Sequence, residues 1–226
     1  MLMNLYPVTI VENFYENPDK VRNFALAQEY TSCFEYDNAQ YAWPGARTKD
    51  LLLLDKTLFE NVCKKLVSVF HNTEHDYMRW IITSNFQSST AEYGHGVMHT
   101  DTNTIFAGIL YLTPDAPLNS GTSIYRKNAS FNQEKYQRAL EINDETYRTN
   151  KKAPSTDFHG MFDEVLRVNN VYNTLILFEG HNYHAANQFF GDSLVNSRLT
   201  QTFFINKIDA QKESVFPLNR VKSIKI

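Results

Sequence analysis

Cysteine is scarce in this chain: Cys33 and Cys63 are the two in 226 residues. Two cysteines are too few for a disulfide framework, and such sparing use indicates a reducing compartment. The first residues also lack the basic start and apolar run of a signal peptide, because Pro7 and Glu12 interrupt the apolar residues. The sequence therefore predicts a cytoplasmic protein.

Long apolar runs and a surplus of charge of one sign are also missing. No segment approaches the roughly 18 consecutive apolar residues that a membrane-spanning helix needs. The formal net charge is −3 and the pI is about 6.2. Since nucleic acids and anionic membranes attract basic surfaces, this balance argues against both as partners.

Aromatic residues, by contrast, are abundant, at 14% of the chain with 16 Phe and 13 Tyr. These side chains pack well on pleated sheets, which favours a sheet-rich protein. Two helices are predicted before the sheet, one beginning at Pro18 behind the cap Asn17 and one opened by Asp55. The segment between them, residues 31–47, is aromatic, polar and broken by Gly and Pro, and is interpreted as an ordered loop.

The pattern changes to short strands separated by turn residues from residue 77 onwards. The predicted strands are YMRWIITSNFQ, GVMHTD, TIFAGILYLT, TSIYR, NTLILFEG, YHAANQFF and SRLTQTFFIN, with YPVTIVENF near the amino terminus. We therefore expect a single α+β, mainly β domain over 1–226, on a β-sandwich or barrel. It comprises a helical support region (1–76), a sheet core (77–206) with a charged helix-and-loop insertion at about 127–160, and a tail (207–226).

One His-x-Asp triplet, His99-Thr100-Asp101, lies in a predicted strand. Side chains two apart on a strand share a face, so the imidazole and the carboxylate would project together. A second histidine would complete the two-histidine, one-carboxylate set of non-haem iron(II) oxygenases, which leaves coordination positions open. Alone, the triplet is equally compatible with a hydrogen-bonded surface pair.

The candidates for the third ligand are His181 and His184, which both follow an apolar strand. His184 is favoured because the neighbouring Ala185 and Ala186 leave room around a metal, whereas His181 stands in a turn after Gly180. His95 is interpreted as a loop histidine near the site.

Arg198 and Thr200 share a face of the last predicted strand by the same rule. An arginine pointing into a barrel needs an anionic partner, because an unpaired buried charge is costly. The guanidinium fork suits a carboxylate.

In this order, the strand-borne HTD, then NTLILFEG with the following YH, then SRLTQTFFI, resemble the Fe(II)/2-oxoglutarate-dependent dioxygenases, specifically their prolyl-4-hydroxylase-like branch. The amino-terminal part resembles that of small bacterial and phage members. The resemblance implies a double-stranded β-helix (jelly roll) with the helices packed outside. It implies iron(II) on His99, Asp101 and His184 as the catalytic set, with O2 as oxidant. It also implies 2-oxoglutarate held by Arg198 with help from Thr200 and Tyr111.

The resemblance further implies hydroxylation of a C–H bond, since halogenating members carry a small residue where this chain has Asp101. The expected substrate is a peptidyl or free amino acid, so the partner is a peptide, a protein or a small molecule. Two alternatives stay open: a nucleic-acid demethylase of the same superfamily, and a non-catalytic jelly-roll binding or virion-associated module. Trp43 and Arg47 would either line the substrate mouth or pack on the barrel, and the insertion would be either a solvated flap or a substrate lid.

Overall fold

The computed structural model describes residues 8–35, 42–70, 78–149, 152 and 154–210. Within these residues the chain forms ten strands and four α-helices. The strands are β1 (Val8–Val11), β2 (Thr31–Ser32), β3 (Ala46–Arg47), β4 (Met78–Ser89), β5 (Phe106–Tyr111), β6 (Thr122–Lys127), β7 (Phe162–Val168), β8 (Leu175–Glu179), β9 (Tyr183–Ala186) and β10 (Arg198–Ala210). The helices are α1 (Pro18–Leu26), α2 (Leu51–Leu54), α3 (Lys56–Phe70) and α4 (Gln133–Arg148).

The strands form two antiparallel sheets. The large sheet has the order β1-β8-β5-β10-β4-β3-β2 and the small sheet the order β7-β6-β9. The long pairing of β10 with β4 runs from Arg198 opposite Ser89 to Ala210 opposite Met78, with one register shift after Ile205. The predicted mainly β architecture with helices is therefore confirmed.

Helix α1 begins where the sequence predicts. The backbone N–H of Lys20 donates to Asn17 Oδ1 at 3.0 Å, and Pro18 occupies the first turn, where its missing N–H costs nothing. Asp55 likewise accepts from the N–H of Leu58 at 2.9 Å at the start of α3. The short helix α2, capped by Asp50, was not predicted.

The helices α1 and α3 cover one face of the large sheet. Their buried side chains form a single apolar cluster with sheet residues that include Phe86, Leu110, Leu177 and Phe203. The opposite face of that sheet meets the small sheet through a second cluster. Its buried members are Ala107, Tyr111, Ile124, Val168, Ile176 and Phe178. Helix α4 borders a third cluster on the far side of the small sheet, where Tyr136 packs near Met98 and Ala185. Polar residues that lie between the two sheets are therefore surrounded by these apolar clusters.

Three details of the sequence-based prediction are wrong. The segment GVMHTD is not a strand of either sheet; it forms one isolated bridge, His99 opposite His184. The strand β7 was missed, because Asp163, Glu164 and Arg167 hide its alternation in a charged context. The predicted loop over 31–47 contains the short strands β2 and β3, although residues 36–41 lie outside the described part.

The insertion is a helix, α4, followed by loop, as expected. The predicted core boundary at 206 falls inside β10, which continues to Ala210, while 211–226 of the predicted tail lie outside the described residues. No helix among the described residues is long and apolar enough to cross a membrane.

Candidate metal centre

His99, Asp101 and His184 come together between the two sheets. His184 lies on β9, and the segment that carries the other two runs alongside that strand. The His99 N–H donates to the His184 carbonyl at 3.1 Å, the His184 N–H donates to the His99 carbonyl at 2.9 Å, and the Asp101 N–H donates to the Gly180 carbonyl at 2.8 Å. The backbone of β9 and of the turn before it therefore holds all three residues in place.

Their side chains converge on one point. His99 Nε2 lies 3.5 Å from Asp101 Oδ1 and His184 Nε2 lies 3.5 Å from Asp101 Oδ2, and the two imidazole centroids are 4.3 Å apart. One potential ligand atom from each residue falls within 4.8 Å of the others. The side chain of His184 is 6% exposed, that of Asp101 14% and that of His99 44%, so the cluster opens to one side.

The tautomer of each histidine follows from its second ring nitrogen. Nδ1 of His99 lies 2.7 Å from the Val97 carbonyl oxygen, and Nδ1 of His184 lies 2.9 Å from that of Asn182. Because a carbonyl can only accept, each Nδ1 carries the hydrogen. In its neutral form each ring thus presents an unprotonated Nε2 to the Asp101 carboxylate, and these acceptors need a proton or a cation between them. Such outer hydrogen bonds are what orient metal-binding histidines.

The electrostatics of the cluster favour a cation as well. Burial alone would raise the pKa of Asp101, but His184, His99 and Arg47 together lower it to about 2. Burial, with the neighbouring His99, lowers the pKa of His184 to about 4. Burial also disfavours protonation of His99, yet its hydrogen bond and attraction to Asp101 raise its pKa overall. At neutral pH the site therefore holds a carboxylate anion and a neutral His184.

Two imidazole nitrogens and one carboxylate suit a first-row transition metal. Donors about 2.1 Å from such an ion lie roughly 3 Å apart when adjacent, which is slightly closer than the separations here. No fourth His, Cys, Asp or Glu joins the group among the residues described. The residues present thus fit a metal with open coordination positions.

Arg198, at the start of β10, is buried beside this centre with 5% of its surface exposed. Its Nε donates to the Ser120 carbonyl at 2.9 Å, and one Nη donates to Thr122 Oγ1 at 3.2 Å and to the Gly121 carbonyl at 3.4 Å. Every one of these acceptors is neutral. Burial lowers the pKa of the guanidinium, and no carboxylate among the described residues lies within ion-pair distance of it.

Tyr111 and Thr200 stand opposite one another on β5 and β10. The Tyr111 hydroxyl donates to Thr122 Oγ1 at 2.9 Å, and the Tyr111 ring centroid lies 5.5 Å from the Arg198 guanidinium carbon. Tyr111 is therefore part of the Arg198 environment. Thr200, although buried, directs its hydroxyl to the Gln87 carbonyl at 3.5 Å and has no described contact with Arg198.

Thr122 was missed by the sequence analysis, although it joins Arg198 to Tyr111. Thr122 also allows the distance between Arg198 and the metal centre to be estimated, because Ile124, two residues further along β6, lies opposite His184. Two residues of a strand span about 7 Å. The small residues Thr122 and Ser123 follow Gly121, and that composition was the available signal.

The other candidate histidines do not join the group. His181 is exposed in the turn after β8, so of the two distal candidates the structure brings His184 to the cluster. His95 is also exposed, and its Nδ1 lies against the Asn187 carbonyl. Arg47, on β3, reaches the same interior from the other side and contacts Trp43, with the guanidinium carbon 4.9 Å from the indole centroid.

Known structures share this fold. HygX from Streptomyces hygroscopicus with nickel and 2-oxoglutarate bound is 11% identical, covering 88% of this chain and 82% of that chain at a TM-score of 0.53. The iron-bound form of HygX is 10% identical, covering 88% and 81% at a TM-score of 0.50. A prolyl hydroxylase from Trichoplax adhaerens, in complex with a peptide fragment of the hypoxia inducible factor oxygen degradation domain, is 10% identical and covers 88% and 82% at a TM-score of 0.48. That third likeness is too loose to carry an argument.

At these identities the HygX structures show the fold alone. They confirm the predicted antiparallel β-sheets with helices, an arrangement that this chain shares with HygX. A comparison with curated proteins found no match. The family model described as "Family of unknown function (DUF6445)" matches residues 2–205, and this chain therefore belongs to that family.

Proposed function

We propose that this chain is an Fe(II)- and 2-oxoglutarate-dependent oxygenase that hydroxylates an unactivated C–H bond. One observation carries the proposal. His99, Asp101 and His184 form a three-residue metal centre, and the buried Arg198 nearby has no anionic partner among the described residues. The two are linked by β6, where Thr122 contacts Arg198 and Ile124, two residues further on, lies opposite His184.

The missing anion is the reason for choosing 2-oxoglutarate. A buried charge without a counter-ion costs several kcal/mol, and the neutral acceptors around Arg198 offset that cost in part only. A dicarboxylate that binds metal through its keto-acid end would place its other carboxylate several ångströms away, in the direction of Thr122 and Arg198. The HygX structure of the same fold contains 2-oxoglutarate, which supports this choice.

Each residue then has a distinct role. His99 and His184 would bind iron through Nε2, and Asp101 would bind it through carboxylate oxygen while supplying negative charge. Arg198 would hold the distal carboxylate of the co-substrate, with Tyr111 and Thr122 orienting the guanidinium and Thr200 shaping the same wall. Phe178, whose ring centroid lies 4.6 Å from that of His184, would keep water from the buried side.

Bound iron would supply the activation of O2. The overall reaction balances as substrate R–H, O2 and 2-oxoglutarate giving R–OH, succinate and CO2. One oxygen atom enters the substrate and the other enters succinate. The protein contributes ligand geometry, orientation of the co-substrate and exclusion of competing reactions.

We further propose the finer features that the resemblance implies. These are a jelly-roll core in a single domain over 1–226, a cytoplasmic location, and a peptidyl or free amino acid as substrate. The net charge of −3 supports an amino-acid substrate over the nucleic-acid alternative. A binding-only module would need neither an inward arginine nor Nε2 atoms aimed at a carboxylate.

Anaerobic titration with iron(II) and 2-oxoglutarate tests the proposal. We expect a weak visible charge-transfer band in the wild-type protein, no band in His99→Ala or His184→Ala, and a band in Arg198→Gln only at much higher 2-oxoglutarate concentration. His181→Ala is the matched control, since it removes an exposed histidine three residues from His184, and it should keep the band. A folded wild-type protein that binds iron but shows no band and releases no succinate in air would overturn the proposal.

A further inference from the structure

Arg47 is a second cation in the interior between the sheets. Its backbone pairs with Gln87 across β3 and β4, and its Nε donates to Gln87 Oε1 at 2.9 Å. The guanidinium carbon lies 4.9 Å from the Trp43 ring centroid and 5.5 Å from that of Phe204. Such stacking stabilises a guanidinium over aromatic faces.

The orientation of Arg47 is fixed by its neighbour. Nε2 of Gln87 donates to the Pro44 carbonyl at 2.9 Å, so its Oε1 is the atom that faces Arg47. With Nε bound there, the two Nη groups remain without a hydrogen-bond partner in the described part of the chain. No described carboxylate lies within ion-pair distance of them either. The guanidinium of Arg47 is thus fixed in position while its Nη groups can still donate hydrogen bonds, and such a group is suited to bind a carboxylate.

A row of three side chains connects Arg47 to the metal centre. Phe178, Ala107 and Phe204 are register neighbours across β8, β5 and β10. The His184 ring stacks on Phe178 at one end of this row, and Arg47 lies over Phe204 at the other. Neighbouring strands are about 4.8 Å apart, so the row spans roughly 10 Å.

Between the two ends of the row stands Ala107, which has the smallest side chain of the three. Burial lowers the pKa of Arg47 to about 10, and the negative charge of Asp101 opposes that effect. This interaction agrees with a position of Arg47 near the metal centre.

Charge balance gives the sign of the missing partner. Among the described residues, the interior holds Asp101 with one negative charge and Arg47 and Arg198 with one positive charge each. Iron(II) and the 2-oxoglutarate dianion cancel one another. One positive charge is left over in a low-dielectric interior, where an unpaired charge is costly.

Resting on the proposed function, we propose that Arg47 binds a carboxylate of the substrate. The substrate is then a free amino acid, whose carboxylate lies close to the carbon that is oxidised, and not a residue inside a peptide. Trp43 provides an apolar wall next to this carboxylate site. Arg47 is thus the residue that separates free amino acids from peptides.

The test compares the free L-amino acids with their C-terminal amides. Succinate release above the rate without added substrate is measured for wild type, Arg47→Gln, Arg47→Lys and Arg138→Gln, an exposed arginine on α4 that serves as the control. We expect at least one free amino acid to stimulate the wild type and the control at least tenfold more than its amide does. Arg47→Gln should lose this preference, and Arg47→Lys should retain part of it.

Binding without turnover provides a second measurement. In a Trp80→Phe background the remaining tryptophan of the two in the chain is Trp43, next to Arg47. Anaerobic titration of the stimulating amino acid should change its fluorescence, and Arg47→Gln should weaken the apparent affinity at least tenfold.

Three results overturn the inference: an amide as effective as its acid, an acid preference that survives in Arg47→Gln, or no stimulation by any free amino acid. In each case the charge-transfer band and the substrate-free succinate release persist in the wild type and in the control Arg138→Gln, so the oxygenase proposal stands. Loss of both signals in the wild type would instead overturn the proposed function itself, and the inference with it.

Discussion

His99 and His184 are joined by a reciprocal pair of backbone hydrogen bonds, with N–O distances of 3.1 and 2.9 Å. The main chain therefore fixes the position of these two residues relative to one another. Asp101 is tied to the same turn through Gly180. The metal centre is accordingly preorganised, and the consequences can be measured one residue at a time.

Replacing Asp101 by Asn should remove most of the metal affinity. The amide keeps the size of the carboxylate but not its charge, and it offers a weaker ligand atom. We expect the affinity for Co(II) to fall by about a hundredfold or more, since even changes outside the ligand set cost 10–100-fold. Calorimetric titration measures the effect, and Asp163→Asn, which alters a surface pair with Arg126, is the control. Equal affinities in the two variants would show that Asp101 is not a ligand.

Metal affinity should also fall with decreasing pH. Burial disfavours protonation of His99, but Asp101 outweighs burial and raises the pKa of His99 above its ordinary value. Below that pKa a proton must leave before metal binds, so each pH unit should lower the affinity about tenfold. Above it the affinity should level off. Calorimetry in buffers of different ionisation enthalpy counts the released protons, and a pH-independent affinity would contradict the assignment of His99 as a ligand.

Replacing Arg198 by Met should separate metal binding from co-substrate binding. The variant keeps a similar volume and all three metal ligands, so its Co(II) affinity should be unchanged. In the wild type with Co(II) bound, 2-oxoglutarate at a hundred times its Kd should add about 2.7 kcal/mol to the free energy of unfolding. Thermal or urea unfolding should show this gain in the wild type and not in Arg198→Met. The same gain in both would place the dicarboxylate elsewhere.

Gly180→Ala should weaken metal binding although Gly180 is not a ligand. A Cβ at this position would lie 2.2 Å from the Thr104 carbonyl oxygen, so the turn that bonds Asp101 must shift. We expect at least a tenfold loss of Co(II) affinity, because displaced ligands lose geometry. Gly160→Ala is a clean control, since nothing lies within 4 Å of its added Cβ. If both variants bind Co(II) like the wild type, the turn does not position the carboxylate.

Leu66→Ala should destabilise the protein without touching the metal centre. Leu66 on α3 is fully buried in the cluster between the helices and the large sheet. Truncating a buried leucine costs about 2–5 kcal/mol in the free energy of unfolding. Leu53→Ala, at a side chain that is 76% exposed, should cost far less. Urea unfolding measures both, and comparable losses would mean that α3 is not part of the core.

Much of the candidate site could be predicted because its residues lie in strong local patterns. Arg198 stands out in an apolar strand, and His184 follows another. The periodicity of two then places Arg198 and Thr200 on one face. That periodicity did not reveal that the Thr200 hydroxyl bonds to the Gln87 carbonyl, because the partner lies on a strand far away in sequence.

The parts that could not be predicted depend on contacts between distant segments. Thr122 looks like any threonine in a strand. Its role becomes visible only through the hydrogen bond that Arg198, from a distant strand, donates to its hydroxyl. Arg47 and Gln87 meet because the two-residue strand β3 pairs with β4 one strand in from the sheet edge, which no local pattern indicates. The segment GVMHTD has the alternating apolar and polar residues of a strand, but it pairs with β9 through a single bridge between His99 and His184. Strand β7 is masked by its exposed charges.

The bonds from Nδ1 of His99 and His184 to the carbonyl oxygens two residues earlier have an engineering consequence. Each ring is aligned through Nδ1 by its own stretch of main chain, and no side chain among the described residues accepts a hydrogen bond from either Nδ1. A histidine together with the carbonyl group two residues before it can consequently be transferred to another protein as one unit. Grafting one such unit onto each of two adjacent antiparallel segments of an unrelated scaffold supplies two aligned imidazoles, and an aspartate two positions after one of them, with a turn that holds it as Gly180 holds Asp101, would complete a cation-binding site.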